Sequence, residues 1–129
     1  MSNPANASLP SGLPGAGVLD AQALAALQQL DPSGAGGLVA RVLATYTQSL
    51  RRLLDQLGVA RAAADSAAMR HVAHTLKSSS ASVGALQLSQ LCADIESKLR
   101  GGESDGLDPQ LDRLVDEGAR VLQALNAPT

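Results

Sequence analysis

A chain with a single aromatic side chain has few ways to fill a core, and this one has one Tyr, no Phe and no Trp. Ala and Leu dominate instead, so the interior has to be built from aliphatic side chains carried on helices, where both residues are favoured. At 129 residues the chain is long enough for one domain with a core that needs neither metal nor disulfide staples. The expectation is an all-α fold. Cys92 is the one cysteine, which rules out an internal disulfide and fits a reducing, cytoplasmic compartment. A formal charge of −2 gives no electrostatic footprint for nucleic acid or for an anionic membrane. No basic leader followed by an apolar run opens the chain, and no stretch approaches the length of a membrane span. A soluble monomer is expected, with no nucleic-acid or membrane partner.

Apolar periodicity divides the chain. Residues 1–17 are rich in Pro, Gly, Ser, Asn and Ala, the composition of a disordered tail, and the domain is taken as 18–129. Asp20 is placed to cap a short helix carrying Leu24, Leu27 and Leu30 inward, with Val18 and Leu19 beside it, until Asp31-Pro32-Ser33-Gly34 stops it. The spacing of Leu38, Val42, Leu43, Tyr46, Leu50, Leu53, Leu54 and Leu57 predicts a second helix from about Gly37 to Leu57 or a little beyond. Its other side carries Arg41, Gln48, Arg51, Arg52 and Asp55. Asp65 or Ser66 can cap a third helix ending near Gly84. A fourth, from about Ala85 to Arg100, buries Leu88, Leu91, Cys92, Ile95 and Leu99. After the Gly101–Gly106 loop, Asp108-Pro109 is read as an N-cap with proline at the first helical position, opening a helix that buries Leu111, Leu114, Val115, Val121 or Leu122, and Leu125. Short connections favour antiparallel neighbours, so the expected architecture is an up-and-down four-helix bundle with a short extra N-terminal helix.

One histidine lies off the packing face. At about 100° per residue, Met69, Val72, Ala73, Leu76, Ser80 and Val83 gather on one side of the third helix, while His74 falls roughly 150° from their centre. His74 is therefore expected at the surface, with Lys77 and Ser78 one turn on. A neutral imidazole is a nucleophile near neutral pH, able to take a phosphoryl group on one nitrogen while the other holds the proton. That second nitrogen needs a partner, and Glu96 is the best candidate. It lies roughly 80° from the core stripe of the fourth helix, at a seam, and a hairpin turning near Gly84 brings it opposite His74.

The segment His74-Thr75-Leu76-Lys77-Ser78-Ser79-Ser80, followed by Val83-Gly84, resembles the signature of histidine-containing phosphotransfer domains of bacterial and fungal phosphorelays: His-x-x-Lys-(Gly or Ser)-small-small, then a hydrophobic-Gly pair. The resemblance runs from about Leu19 to Leu125. It implies that His74 is phosphorylated at Nε2, that Lys77 stabilises the added charge, and that receiver domains of a hybrid sensor kinase and a response regulator are the partners. The receiver supplies Mg²⁺, and this chain binds no cofactor of its own. Docking is expected on His71, Ser78, Ala81, Ser82, Ser89 and Ala93. Position 78 is commonly Gly in that family, so Ser78 is a small departure, while position 96 is Gln in many relay members and Glu in the chemotaxis-kinase type of phosphotransfer domain.

Other readings are blander. His71 reads as a solvated residue, Arg51 and Arg52 as a solvated face, Tyr46 and Cys92 as core, and the serine run as small residues permitting close approach. A metal held by His71, His74 and Glu96 would lack a further ligand. Neither a phosphate-cradling Gly-Lys-Ser/Thr loop nor a kinase-like glycine loop is present, so ATP-dependent kinase activity is not expected. The alternative function is a helical adaptor that binds receiver domains without carrying phosphate.

Overall fold

The computed structural model describes residues 19–34 and 36–126. The expectations for the 1–17 tail, for Val18 and for the side chain of Leu27 fall outside the described residues. The described residues hold five helices and no strand: α1 (Ala21–Gln29), α2 (Leu38–Ala62), α3 (Ser66–Ser82), α4 (Leu86–Arg100) and α5 (Leu107–Asn126). Helices α2 to α5 pack in a closed ring, α2 on α3, α3 on α4, α4 on α5 and α5 back on α2, with α3 and α4 the most extensively packed pair. The fold is the expected four-helix bundle, with α1 as the extra helix.

The local signals explain the element boundaries. Asp20 Oδ2 accepts the Ala23 amide at 2.9 Å and opens α1, and Asp65 Oδ1 accepts the Ala68 amide at 3.1 Å and opens α3. Gly37, which precedes α2, has no side chain to cap with. Asp31 reaches across the loop instead, its Oδ2 accepting the Leu38 amide at 3.2 Å. The core is aliphatic around Leu50, Leu57, Leu76, Leu88, Ile95, Leu111 and Leu114, all essentially inaccessible. Tyr46 and Cys92 are buried with them. Ser80 sits on the same buried face, and its hydroxyl is satisfied by the Tyr46 phenol at 2.8 Å. Burial pushes that phenol up to about 12, so it stays protonated and remains able to donate to Ser80. No helix among the described residues is long and apolar enough to cross a membrane.

The structure corrects four expectations. Leu30 is 72% exposed rather than inward, because α1 ends at Gln29 and the helical phase no longer applies to the turn residue after it. Val115 is also exposed: Leu111, Leu114 and Val121 set the buried line of α5, and Val115 lies roughly 90° from it. The buried flank is occupied by Glu117, whose carboxylate accepts from Arg120 at 3.1 Å. Leu91 and Leu99 are only partly covered, since α4 turns Glu96 into the seam. Asp108-Pro109 is not a cap followed by a first helical residue. Helix α5 begins at Leu107, and Asp108 and Asp112 instead pair with Arg61 at the end of α2, at 3.3 and 2.9 Å. Pro109 is tolerated there because the first-turn amides of a helix have no intrahelical acceptor.

Gly84 joins the hairpin to α1. Its carbonyl accepts the Asp20 amide at 2.7 Å, its φ is +84°, and a Cβ at this position would lie 2.8 Å from the Asp20 nitrogen. Gly102 shares the positive φ, at +72°, but has open space around it. Gly84→Ala is therefore expected to cost about 3 kcal/mol in urea denaturation and Gly102→Ala only about 1 kcal/mol. Equal losses at the two positions would show that α1 docking puts no steric demand on Gly84.

Candidate functional site

Helices α3 and α4 meet around one carboxylate. Glu96 is 3% exposed. Its Oε1 accepts from Lys77 Nζ at 2.7 Å, and its Oε2 accepts from both His74 Nδ1 at 2.8 Å and Arg100 Nη2 at 2.7 Å. Two donors come from α3, three residues apart, and the third from α4, four residues beyond Glu96 itself. Below this cluster Ser89 Oγ donates to the Lys77 carbonyl at 2.7 Å, a second polar tie between the helices.

Burial alone would raise the Glu96 pKa. The Lys77 ammonium bonded to Oε1 outweighs that effect, helped by the hydrogen bond from His74, and holds the carboxyl below its ordinary range. Glu96 is thus ionised at neutral pH and can only accept. The direction of the hydrogen bond to the imidazole follows: Nδ1 must carry the proton and donate. In the neutral ring, Nε2 is then the nitrogen with a free lone pair. The imidazole is 63% exposed and only its Nδ1 is tied down. The geometry therefore separates the two nitrogens into an anchored one and a free one.

The expected site residues divide into two groups. His74, Lys77 and Glu96 converge, with Ser89 on the same seam. Ser78 and Ala81 are exposed on α3, and Ala93, one turn before Glu96 on α4, is partly covered. His71 and Ser82 lie on the other flank of α3. His71 lines a groove of about 550 Å³ with Arg52, Gln56 and Val59 of α2, and Ser82 lines one of about 430 Å³ with Arg41, Thr45 and Tyr46. Lys77, expected to stabilise the charge of an added phosphoryl group, is engaged with Glu96. Two hydroxyls of the serine run are engaged locally, Ser79 Oγ with the Thr75 carbonyl at 3.1 Å and Ser80 with Tyr46, and beyond the run Ser82 Oγ bonds the Ser78 carbonyl at 3.1 Å. Among the described residues no three His, Cys, Asp or Glu side chains gather to hold a metal. Burial, with the Glu96 charge adding to it, pushes the Cys92 thiol up to about 12, so it is not a nucleophile at neutral pH.

Arg100 escaped the sequence reading. The only local signal for it is the i,i+4 spacing from Glu96, which is common on solvated helix faces and becomes informative only once Glu96 is known to be buried.

The depressed Glu96 carboxyl makes a pH prediction. A group with a lowered folded pKa contributes stability that is fully present above its unfolded value, 4.5, and is lost as pH falls through the folded one. Urea midpoints of the wild type should therefore drop as pH descends below about 4.5. Glu96→Gln should be less stable at neutral pH and should show a flatter acid limb. Parallel acid limbs in the two proteins would mean that Glu96 is not the group being titrated.

Comparison with known proteins gives one consistent answer. The Hpt domain family model matches residues 41–126. The chain superimposes on the crystal structure of histidine-containing phosphotransfer protein B from Pseudomonas aeruginosa PAO1 with a TM-score of 0.75 and 29% identity, covering 85% of this chain and 92% of that one. It is also 46% identical over 54 residues to the sensor protein TorS of Escherichia coli K12, a match that covers 42% of this chain and 6% of TorS. With the family model, the bundle and the related structure in agreement, the chain belongs to the Hpt domain family, the histidine phosphotransfer carriers of two-component phosphorelays.

Proposed function

We propose that His74 is the phosphoryl carrier, accepting from the phosphoaspartate of one receiver domain and delivering to the aspartate of another. The observation that carries this reading is the Glu96 carboxylate on Nδ1, which leaves Nε2 unprotonated on an exposed ring. In the forward step the Nε2 lone pair attacks phosphorus in line, the P–N bond forms as the acyl-phosphate P–O bond breaks, and the aspartate leaves as a carboxylate. The Nδ1 proton remains on the ring, and Glu96 stabilises the positive charge that the imidazole acquires. Delivery is the reverse of the same step. Lys77, within one helical turn of His74, offsets the incoming negative charge while staying close to Glu96.

On this reading the receiver partner brings the acidic pocket and Mg²⁺, and the chain contributes a positioned nucleophile and a docking face around His74, Ser78, Ala81, Ser89 and Ala93. Contacts of this kind are small in area and exchange quickly. The chain acts as a carrier and does not draw phosphate from ATP. TorS, a relative by sequence, is a sensor protein, which supports a place for this chain in a sensor-driven relay.

The test is to mix the chain with a labelled phospho-receiver and Mg²⁺, then assay the label it acquires. Acid-labile, base-stable label that disappears in His74→Gln is the expected result. Absence of label with several receivers, or label surviving that substitution, overturns the proposal and leaves the adaptor reading. Lys77→Ala should slow transfer roughly tenfold with helicity unchanged, and an unchanged single-turnover rate would remove Lys77 from the machinery.

A further inference from the structure

Arg100 is the member of the Glu96 cluster that the phosphotransfer step itself does not require. Its guanidinium is largely solvated, at 64% exposure, yet it binds Oε2, the oxygen that also receives His74, at 2.7 Å. Because its partner carboxylate is buried, the pair helps offset the desolvation of Glu96. It also has a geometric consequence. A carboxylate oxygen has two lone-pair directions. Arg100 occupies one on Oε2, so the imidazole meets the other and is offered a single direction of approach. Lys77 fixes the second oxygen, and together the two cations prevent the carboxylate from rotating about its final torsion.

The cations also guard the polarity of the bond. A buried carboxyl with too little positive charge around it gains a proton and becomes a donor. A protonated Glu96 could donate to Nδ1, which would move the ring proton to Nε2 and remove the lone pair needed for attack. Lys77 opposes this at Oε1 and Arg100 opposes it at the oxygen in contact with the ring. We infer that Arg100 is a positioning residue for phosphoryl acceptance, acting through Glu96 to hold His74 in its Nδ1–H tautomer. The inference rests on His74 being the carrier, as proposed above, for its kinetic consequence, but its structural content can be measured without any phosphate donor.

The experiment is nitrogen-15 NMR of histidine-labelled full-length chain, with exposed His71 as the reference within the same spectrum. In the wild type the His74 ring nitrogens should show the Nδ1–H pattern. Arg100→Ala should move them toward the mixed-tautomer positions of His71 and slow acceptance from a phospho-receiver several-fold, with the helical circular dichroism retained and the thermal midpoint lowered. Arg100→Lys retains the charge and should recover most of both effects. A merely structural role for Arg100 would not move the ring-nitrogen shifts at constant fold. His74 shifts in Arg100→Ala that superimpose on the wild type overturn the inference. A wild type that shows the Nδ1–H pattern but accepts no phosphate overturns the proposed function and leaves the role of Arg100 in fixing the tautomer intact.

Discussion

The site depends on a buried carboxylate that is not allowed to become neutral. Removing a charge from water costs several kcal/mol unless donors replace the lost hydration. Glu96 recovers it from Lys77, His74 and Arg100, on both of its oxygens. Because two of these donors stand on α3 and the acceptor stands on α4, satisfying the charge also fixes how the two helices are rotated about their axes. The Ser89 hydroxyl on the Lys77 carbonyl reinforces the same phase. Any rotation that brought the imidazole away from Glu96 would leave a buried anion short of a partner.

Around that constraint the bundle supplies distance and direction. The turn at Gly84 sets which residues of α3 and α4 face each other, and the backbone bond from Asp20 to the Gly84 carbonyl seats α1 against that turn. The hydrophobic interior, from Leu50 and Leu57 to Leu88 and Ile95, makes α3 and α4 a stiff pair. His74, the proposed nucleophile, is then presented from rigid elements and not from a loop, while its Nε2 stays open to solvent. Exposure and order are reconciled by anchoring one ring atom only.

The fold was legible because its signals are local. Asp20 and Asp65 announced their helices by short-range capping, Gly84 announced the turn, and the period of Leu50, Leu53, Leu57 and of Leu88, Cys92, Ile95 announced the buried faces. His74 and Glu96 were legible for a related reason: a hairpin with a known turn pairs residues by simple counting. What escaped was set by tertiary detail. The exposure of Val115 and the burial of Glu117 reflect the exact roll of α5, which its apolar pattern leaves free within a quarter turn. Asp108 looked like a cap because its pairing with Arg61, distant in sequence, is invisible to a local reading. Arg100 carried only the ordinary spacing of an exposed ion pair.

The acid at position 96 follows from the same accounting of donors. An amide in its place could still offer an oxygen to Nδ1, but its other terminus would be an NH₂ group that donates and cannot accept. Lys77 and Arg100 are both pure donors, so one of them would face the amide nitrogen with nothing to bond. A carboxylate accepts from all three. The local charge is then one anion against two cations, a surplus of positive charge beside an imidazole proposed to receive an anionic group. A chain with fewer cations at this seam would be served as well by an amide. Here the acid at 96 and the bases at 77 and 100 form one electrostatic unit, and substituting any one of them alters what the other two are doing.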